Sequence, residues 1–222
     1  MAGHTRLCGV ILSAGASSRM GRDKALLPWP PATHGSIEGS GQMLPTGQTL
    51  LTASIAALRP LAEAVIVVAG NNFESLAPVA ALNGALIVKN PAPERGQFSS
   101  LQTGLREVVA RGFDAAMITL VDSPPLCANS MQKLATAFDA ALARGMWGVA
   151  PESGGRRGHP LLAGRELIDT FLRAPVTSNA RAVKHEHAQL IESVPVPDVL
   201  LTVDVNTPEQ YDSLVSDENK QK

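Results

Sequence analysis

The chain reads as an α/β protein built on a mostly parallel sheet with helices on both faces, a Rossmann-like arrangement. Short aliphatic runs recur at intervals that leave room for a helix between them, the pattern of parallel strands joined by crossover helices. Two of these runs, Val65-Ile66-Val67-Val68 and Ala116-Met117-Ile118-Thr119-Leu120-Val121, are apolar without alternation, as strands covered on both faces must be. The chain has 222 residues, 45% hydrophobic and 18% charged. It can therefore bury a substantial core and has the composition of a folded domain.

In chain order the predicted strands are Leu7 to Leu12, Ala64 to Ala69, Ala85 to Val88, Ala115 to Val121, Gly148 to Ala150 and Leu190 to Val194. Predicted helices span Thr49 to Leu58, Ser99 to Ala110, Ser130 to Arg144, Arg165 to Leu172, Ala180 to His187 and Pro208 to Val215. Two carry start signals: Ser99 opens one helix, and Thr207 caps Pro208 at the first helical position of the last. The stretch Pro30 to Thr46 is polar, aperiodic and rich in Gly and Pro, and reads as a long loop inserted into a single domain covering 1–216. Residues 217–222 form a polar tail.

Composition also narrows the partners. A formal net charge of −1 gives no global positive field to hold a polyanion, so nucleic acid is not expected as a partner. No apolar run approaches the roughly 20 residues needed to cross a bilayer. The first apolar stretch is too short for a secretory signal, and a cytoplasmic location is the expectation. Cys8 and Cys127 fit neither a disulfide framework nor a zinc site, and both read as buried thiols.

In an open parallel sheet, ligands collect beyond the carboxyl ends of the strands. The first strand runs into Ser13-Ala14-Gly15-Ala16-Ser17-Ser18-Arg19-Met20-Gly21-Arg22-Asp23-Lys24. Small residues let the backbone approach an anion, and successive amides can line a concave donor surface for phosphate oxygens. Arg19 and Lys24 would supply full positive charges. The spacing is neither the G-x-x-x-x-G-K-[ST] of a P-loop nor the G-x-G-x-x-G of a dinucleotide fold, which counts against ATPase and oxidoreductase readings. Taken alone, the segment could equally be a glycine-rich turn with solvated cations.

The motif Leu12-Ser13-Ala14-Gly15-x-Ser17-x-Arg19-Met20-Gly21-x-x-Lys24 resembles the signature of MobA-like NTP transferases, and within that group the molybdenum cofactor cytidylyltransferases. The likeness continues through Lys24 to Pro28 and Gly47 to Leu51, then Asn90-Pro91, Gly96 to Leu101, Val121 to Pro124, Gly158-His159-Pro160 and Val203 to Glu209. The resemblance implies that Leu12, Ser13, Ala14, Gly15, Ala16, Ser17, Ser18, Arg19 and Lys24 wrap the nucleotide. It further implies that Asn90, Gly96, Ser99 and Ser100 line its base and sugar, and that His159 and Pro160 contact the acceptor.

Asp122, at the end of an apolar strand, suits Mg²⁺, which takes one or two carboxylates along with phosphates and water; capping of the turn before Pro124 is the alternative. Asp204 is the candidate second ligand. Relatives often carry an aspartate where this chain has Asn206, which departs from a two-carboxylate pattern. The reaction implied is in-line attack by an acceptor phosphate on the α-phosphorus of an NTP, with Arg19, Lys24 and Asp122 as the catalytic set and pyrophosphate as the product.

Ala14 favours cytidine, since relatives with Gly there go with guanosine. Molybdopterin is the implied acceptor, a sugar or polyol phosphate the alternative, and molybdoenzyme maturation proteins are candidate partners. A nucleotide-binding module without catalysis is the reading from another class. His185 and His187 are assigned to the surface, and Arg181, in Asn179-Ala180-Arg181 where relatives have Gly-Ala-Arg, has no assigned role.

Overall fold

The structure is a computed structural model that describes residues 5–15, 23–29 and 47–217. The loop segment 16–22, with Arg19, Ala16, Ser17 and Ser18, lies outside the described residues, as do 30–46 and 218–222.

The strands are β1 (Leu7–Ser13), β2 (Ala64–Ala69), β3 (Leu86–Lys89), β4 (Ala115–Leu120), β5 (Gly148–Ser153), β6 (Arg156–Arg157), β7 (Leu161–Ala163) and β8 (Ile191–Pro195). The helices are α1 (Leu50–Leu58), α2 (Phe73–Leu82), α3 (Gln97–Ala110), α4 (Ala128–Ala143), α5 (Arg165–Arg173), α6 (Ala180–Glu186) and α7 (Pro208–Asp217). They form one sheet in the order β3-β2-β1-β4-β7-β5, with β8 on the other edge of β5 and β6 on its far end. Strands β3, β2, β1 and β4 are parallel. β7 runs antiparallel to both β4 and β5, so the sheet is mostly parallel, as expected, with one reversed strand inside it.

β1 decides the layering. Ile11 packs with α1, α2 and α4 on one face, while Cys8, Val10 and Leu12 pack with α3 and α5 on the other. Each large fully buried side chain, such as Phe138 on one face and Phe171 on the other, contributes about 1.5–3 kcal/mol over leaving it in water. The chain leaves β1 toward β2 and β3 on one side and returns to place β4 on the other. The end of β1 is thus a topological switch point, where adjacent connections diverge and open a crevice.

Three elements were not anticipated. α2 carries Pro78 in its interior and buries only Leu76 and Ala80, so its apolar signal is thin and a proline costly to helices interrupts it. β7 is three residues long and β6 two exposed arginines, too short for alternation to register. Elsewhere boundaries moved by one to three residues: α3 opens at Gln97 after Gly96 rather than at Ser99, β5 runs on to Ser153, and α7 extends over Ser216 to Asp217. Thr207 does cap the last helix, its hydroxyl accepting from the Gln210 amide at 3.3 Å. No helix among the described residues is long and apolar enough to cross a membrane.

One thiol corrects expectation. Cys8 is buried on β1, and burial pushes its pKa up to about 12. Cys127, however, is exposed at the start of α4, its Sγ donating to Ser130 Oγ at 3.3 Å. Leu126 turns into the core, while Cys127, the N-cap of α4, faces outward, so its apolar neighbour in sequence does not cover it.

Candidate active site

A cleft of about 980 Å³ opens at the carboxyl ends of β1, β2 and β4. Its walls come from the segments that follow successive parallel strands: Leu12 to Gly15 after β1, Asn71, Asn72 and Ser75 after β2, Pro93 to Ser100 after β3, and Val121-Asp122 after β4. Asp23 and Lys24, at a 3-10 turn, complete it.

Asn72 ties the floor together. Its Nδ2 donates to the Ser13 carbonyl at 2.9 Å and to Asp23 Oδ2 at 2.7 Å, while its Oδ1 accepts from the Gly70 amide at 3.0 Å. Asp23 Oδ1 accepts from the Ala25 amide at 3.0 Å and so caps the turn that presents Lys24. Gly70 must be glycine: an added Cβ would stand 2.7 Å from the Ala14 carbonyl, and the backbone after β1 could not lie where it does.

Lys24 and Asp122 meet across the cleft, Nζ to Oδ2 at 3.1 Å, with side chains 12% and 24% exposed. Nζ also donates to Asn206 Oδ1 at 2.8 Å. Asn206 arrives on the C-terminal segment, which is held from several directions. The Val205 amide donates to the Asp122 carbonyl at 2.8 Å, and Tyr211 Oη donates to the Pro28 carbonyl at 2.6 Å. Val205 and Tyr211 also pack with Leu27 and Leu50. Asp204, exposed on this segment, accepts from Ser123 Oγ at 3.2 Å.

Placed in this frame, Leu12, Ser13, Ala14, Gly15, Lys24, Gly96, Ser100 and Asp122 all line the cleft. Asn90 and Ser99 do not. Asn90 is buried, its Nδ2 donating to Ser99 Oγ at 2.8 Å and Ser100 Oγ at 3.0 Å, and its Oδ1 accepting from the Ala92 amide. Ser99 Oγ in turn donates to the Gly96 carbonyl at 2.8 Å. These two side chains shape the loop that bears Gly96 and Gln97 and open α3. His159 and Pro160 line a separate cavity of only about 10 Å³. His159 Nδ1–H donates to the Ile118 carbonyl at 3.3 Å. Burial and the nearby Lys184 ammonium hold its pKa below the usual histidine value, against that hydrogen bond and the carboxylates of Asp204 and Asp122.

Reasoning from sequence passed over Asn72 and Asp23 and noticed Asn206 only as a departure from a carboxylate pair, although all three organise the cleft. An Asn two residues beyond a glycine that ends a strand is a signal for an Asx-type turn, and it could have drawn attention to Asn72. His187, assigned to the surface, is half-buried, its ring 5.0 Å from that of Trp147; His185 is exposed.

The donors at the Asp122 corner are hard oxygens: two carboxylates and the Asn206 amide. No group of three or more His, Cys, Asp or Glu gathers into a metal cage among the described residues. That donor set fits Mg²⁺, which keeps water and substrate phosphates in its shell, better than a metal that needs a full protein cage.

A doubly wound sheet with its cleft at the strand switch point is the plan of a nucleotide-binding α/β protein. Residues 9–190 match the MobA-like NTP transferase domain, and the chain belongs to that family. It is 29% identical over 210 residues to a probable molybdenum cofactor guanylyltransferase of Rhodopirellula baltica, covering 91% of this chain and 88% of that one. To the molybdenum cofactor cytidylyltransferase of Escherichia coli it is 24% identical, covering 87% and 93%. The nicotine blue oxidoreductase of Paenarthrobacter nicotinovorans is 28% identical, covering 91% and 93%. Among solved structures, a nucleotidyl transferase from Methanothermobacter superposes with a TM-score of 0.72 at 20% identity, covering 99% and 100%, which shows the shared fold.

Proposed function

We propose that the protein transfers a nucleoside monophosphate from an NTP, CTP by preference, to the phosphate of molybdopterin and releases pyrophosphate. The observation that carries this reading is the Lys24–Asp122 pair, which places a cation and a carboxylate across a cleft large enough for a nucleotide. Family membership and the names of the two molybdenum cofactor transferases support it.

An oxygen of the acceptor phosphate attacks the α-phosphorus in line. The new P–O bond forms as the bond to the β-bridging oxygen breaks, and pyrophosphate departs with that electron pair. The attacking phosphate is already ionised near neutral pH, so no general base is required. Lys24, together with Arg19, which lies outside the described residues, offsets charge on the leaving group, and the backbone from Leu12 to Gly15 holds the nucleotide in line. Asp122, with Asp204 and Asn206 beside it, would hold Mg²⁺, which when bound would supply Lewis-acid neutralisation of the charge that develops on the phosphates.

Ala14 supports cytidine. Ala14 lines the cleft, and among the transferases this chain resembles a glycine at that position goes with guanosine. The oxidoreductase name of one relative finds no support in a dinucleotide turn, since the loop lacks G-x-G-x-x-G.

The deciding experiment is pyrophosphate release in Mg²⁺ with CTP, GTP, ATP and UTP, each with and without molybdopterin, run on wild type and Ala14→Gly. Release that needs acceptor and is fastest with CTP, with Ala14→Gly shifted toward GTP, is the expected outcome. Tight NTP binding with no acceptor able to elicit release would favour a non-catalytic module.

A further inference from the structure

The turn that leaves β2 carries a side chain turned away from the helix it begins. Asn72 is the N-cap of α2, a position where an asparagine side chain ordinarily accepts from the first turn and contributes about 1 kcal/mol. Among the described residues it makes no such bond. Its amide reaches instead across the end of the sheet, to β1 and to the turn that bears Lys24. A local preference set aside in this way points to a use elsewhere.

Both protons of Nδ2 are committed there, one to the Ser13 carbonyl at 2.9 Å and the other to Asp23 Oδ2 at 2.7 Å. Oδ1 accepts from the Gly70 amide at 3.0 Å. The partners dictate this orientation, since a flipped amide would set oxygen against oxygen at two contacts and N–H against N–H at the third. Ser13 and Asp23 stand at the two ends of the Gly-rich segment, so a single nitrogen holds both ends.

Each end bears on the site in its own way. The Ser13–Ala14 peptide is trans and keeps its N–H opposite its C=O, so fixing the Ser13 carbonyl fixes the direction of the Ala14 N–H, the first amide of the segment. Gly70 supports the next peptide, since it lies so close that an added Cβ would stand 2.7 Å from the Ala14 carbonyl. At the far end, Asp23 Oδ1 accepts from the Ala25 amide and caps the 3-10 turn Lys24–Leu26. That turn sends Lys24 Nζ to within 3.1 Å of Asp122.

We infer that Asn72 is a positioning residue for the transfer reaction, its one amide setting both the direction of the Ala14 N–H and the reach of Lys24, so that the two meet the NTP phosphates together. This rests on the transferase reading above. Asn72 lines the cleft, but with both Nδ2 protons engaged it acts through Ser13 and Asp23 rather than by holding the nucleotide itself.

The test is steady-state pyrophosphate release with CTP and molybdopterin varied in turn, on Asn72→Ala, Asn72→Asp and the exchanged pair Asn72→Asp/Asp23→Asn. Asn72→Ala is expected to lower kcat/KM for CTP by up to roughly 10²-fold, the cost of misplacing a catalytic group, with KM for the acceptor unchanged. Asn72→Asp alone sets two carboxylates against each other and is expected to be at least as slow. Adding Asp23→Asn restores a donor and an acceptor across that contact and is expected to recover about tenfold, the worth of one charge-assisted hydrogen bond. In a Lys24→Ala background, Asn72→Ala costs at least about threefold less than in wild type, because part of its effect passes through Lys24, whereas independent sites would add. Full additivity with Lys24→Ala, no recovery in the exchanged pair, or an equal rise in both KM values overturns the assignment. Should Asn72→Ala fail to fold, the exchanged pair decides alone. If wild type turns over no phosphorylated acceptor, the transferase reading fails separately. The clamp is then judged by calorimetric titration of CTP with Mg²⁺ into wild type, Asn72→Asp and the exchanged pair. Weakened binding that the exchange restores upholds it; equal heats overturn it.

Discussion

The sheet from β3 to β4 and the sheet from β7 to β8 build their parts of the cleft in different ways. In the first, all strands point the same way, so every following segment is delivered to the same end, and short contiguous stretches such as Leu12 to Gly15 and Val121-Asp122 line the site. In the second, the reversed strand β7 interrupts that delivery, and the corner at Asp122 is completed instead by the C-terminal segment, which brings Asp204 and Asn206. Parallel connectivity concentrates chemistry into motifs; antiparallel connectivity disperses it.

That contrast predicts where mutation is costliest. Lys24→Ala and Asp122→Asn remove the pair that faces across the cleft of the contiguous region, and each is expected to lower kcat/KM for pyrophosphate release by roughly 10²–10³-fold, as for loss of a positioned charge at a developing anion. If these residues act as a unit, the double variant is no worse than the poorer single. Near wild-type rates in both singles would mean that the cleft is not where the chemistry occurs.

Legibility followed the same division. The parallel strands and their Gly-rich loop were readable because continuous apolar runs and a dense motif are local properties of sequence. β7 was not, since a three-residue strand gains its identity from pairing with β4 and β5 rather than from its own pattern. Asn206 was noticed only as a departure from a carboxylate pair. Its contact with Lys24 depends on Val205 and Tyr211 packing onto Leu27 and Leu50, a long-range docking that no spacing rule reveals.

The dispersed region should be the more sensitive to backbone crowding. A Cβ at Gly158 would stand 2.4 Å from Leu201 Cδ1 and 2.7 Å from the Leu201 carbonyl, and that carbonyl cannot rotate away as a side chain can. Gly158→Ala is expected to cost about 1–3 kcal/mol, the range for overpacking, read as a lower urea midpoint. It is also expected to slow turnover by shifting the 203–206 segment that carries Asp204 and Asn206. Full stability with full activity would show that this segment docks independently of the β6 arm.

The contiguous region offers the opposite signature at Ser13. This residue is 3% exposed at the end of β1, and its Oγ has no hydrogen-bond partner among the described residues, yet it lines the cleft. A buried hydroxyl left unsatisfied costs about 1–3 kcal/mol, so Ser13→Ala should stabilise the ligand-free protein, with a rise in melting temperature. If the hydroxyl is kept for a nucleotide oxygen, the same substitution should weaken NTP binding by about two- to tenfold, the worth of one net hydrogen bond. Stability and affinity then move in opposite directions, which no purely structural role for Ser13 would produce. A variant that is less stable and binds NTP as wild type does would place the hydroxyl in the fold, and the floor of the cleft would be defined by backbone alone.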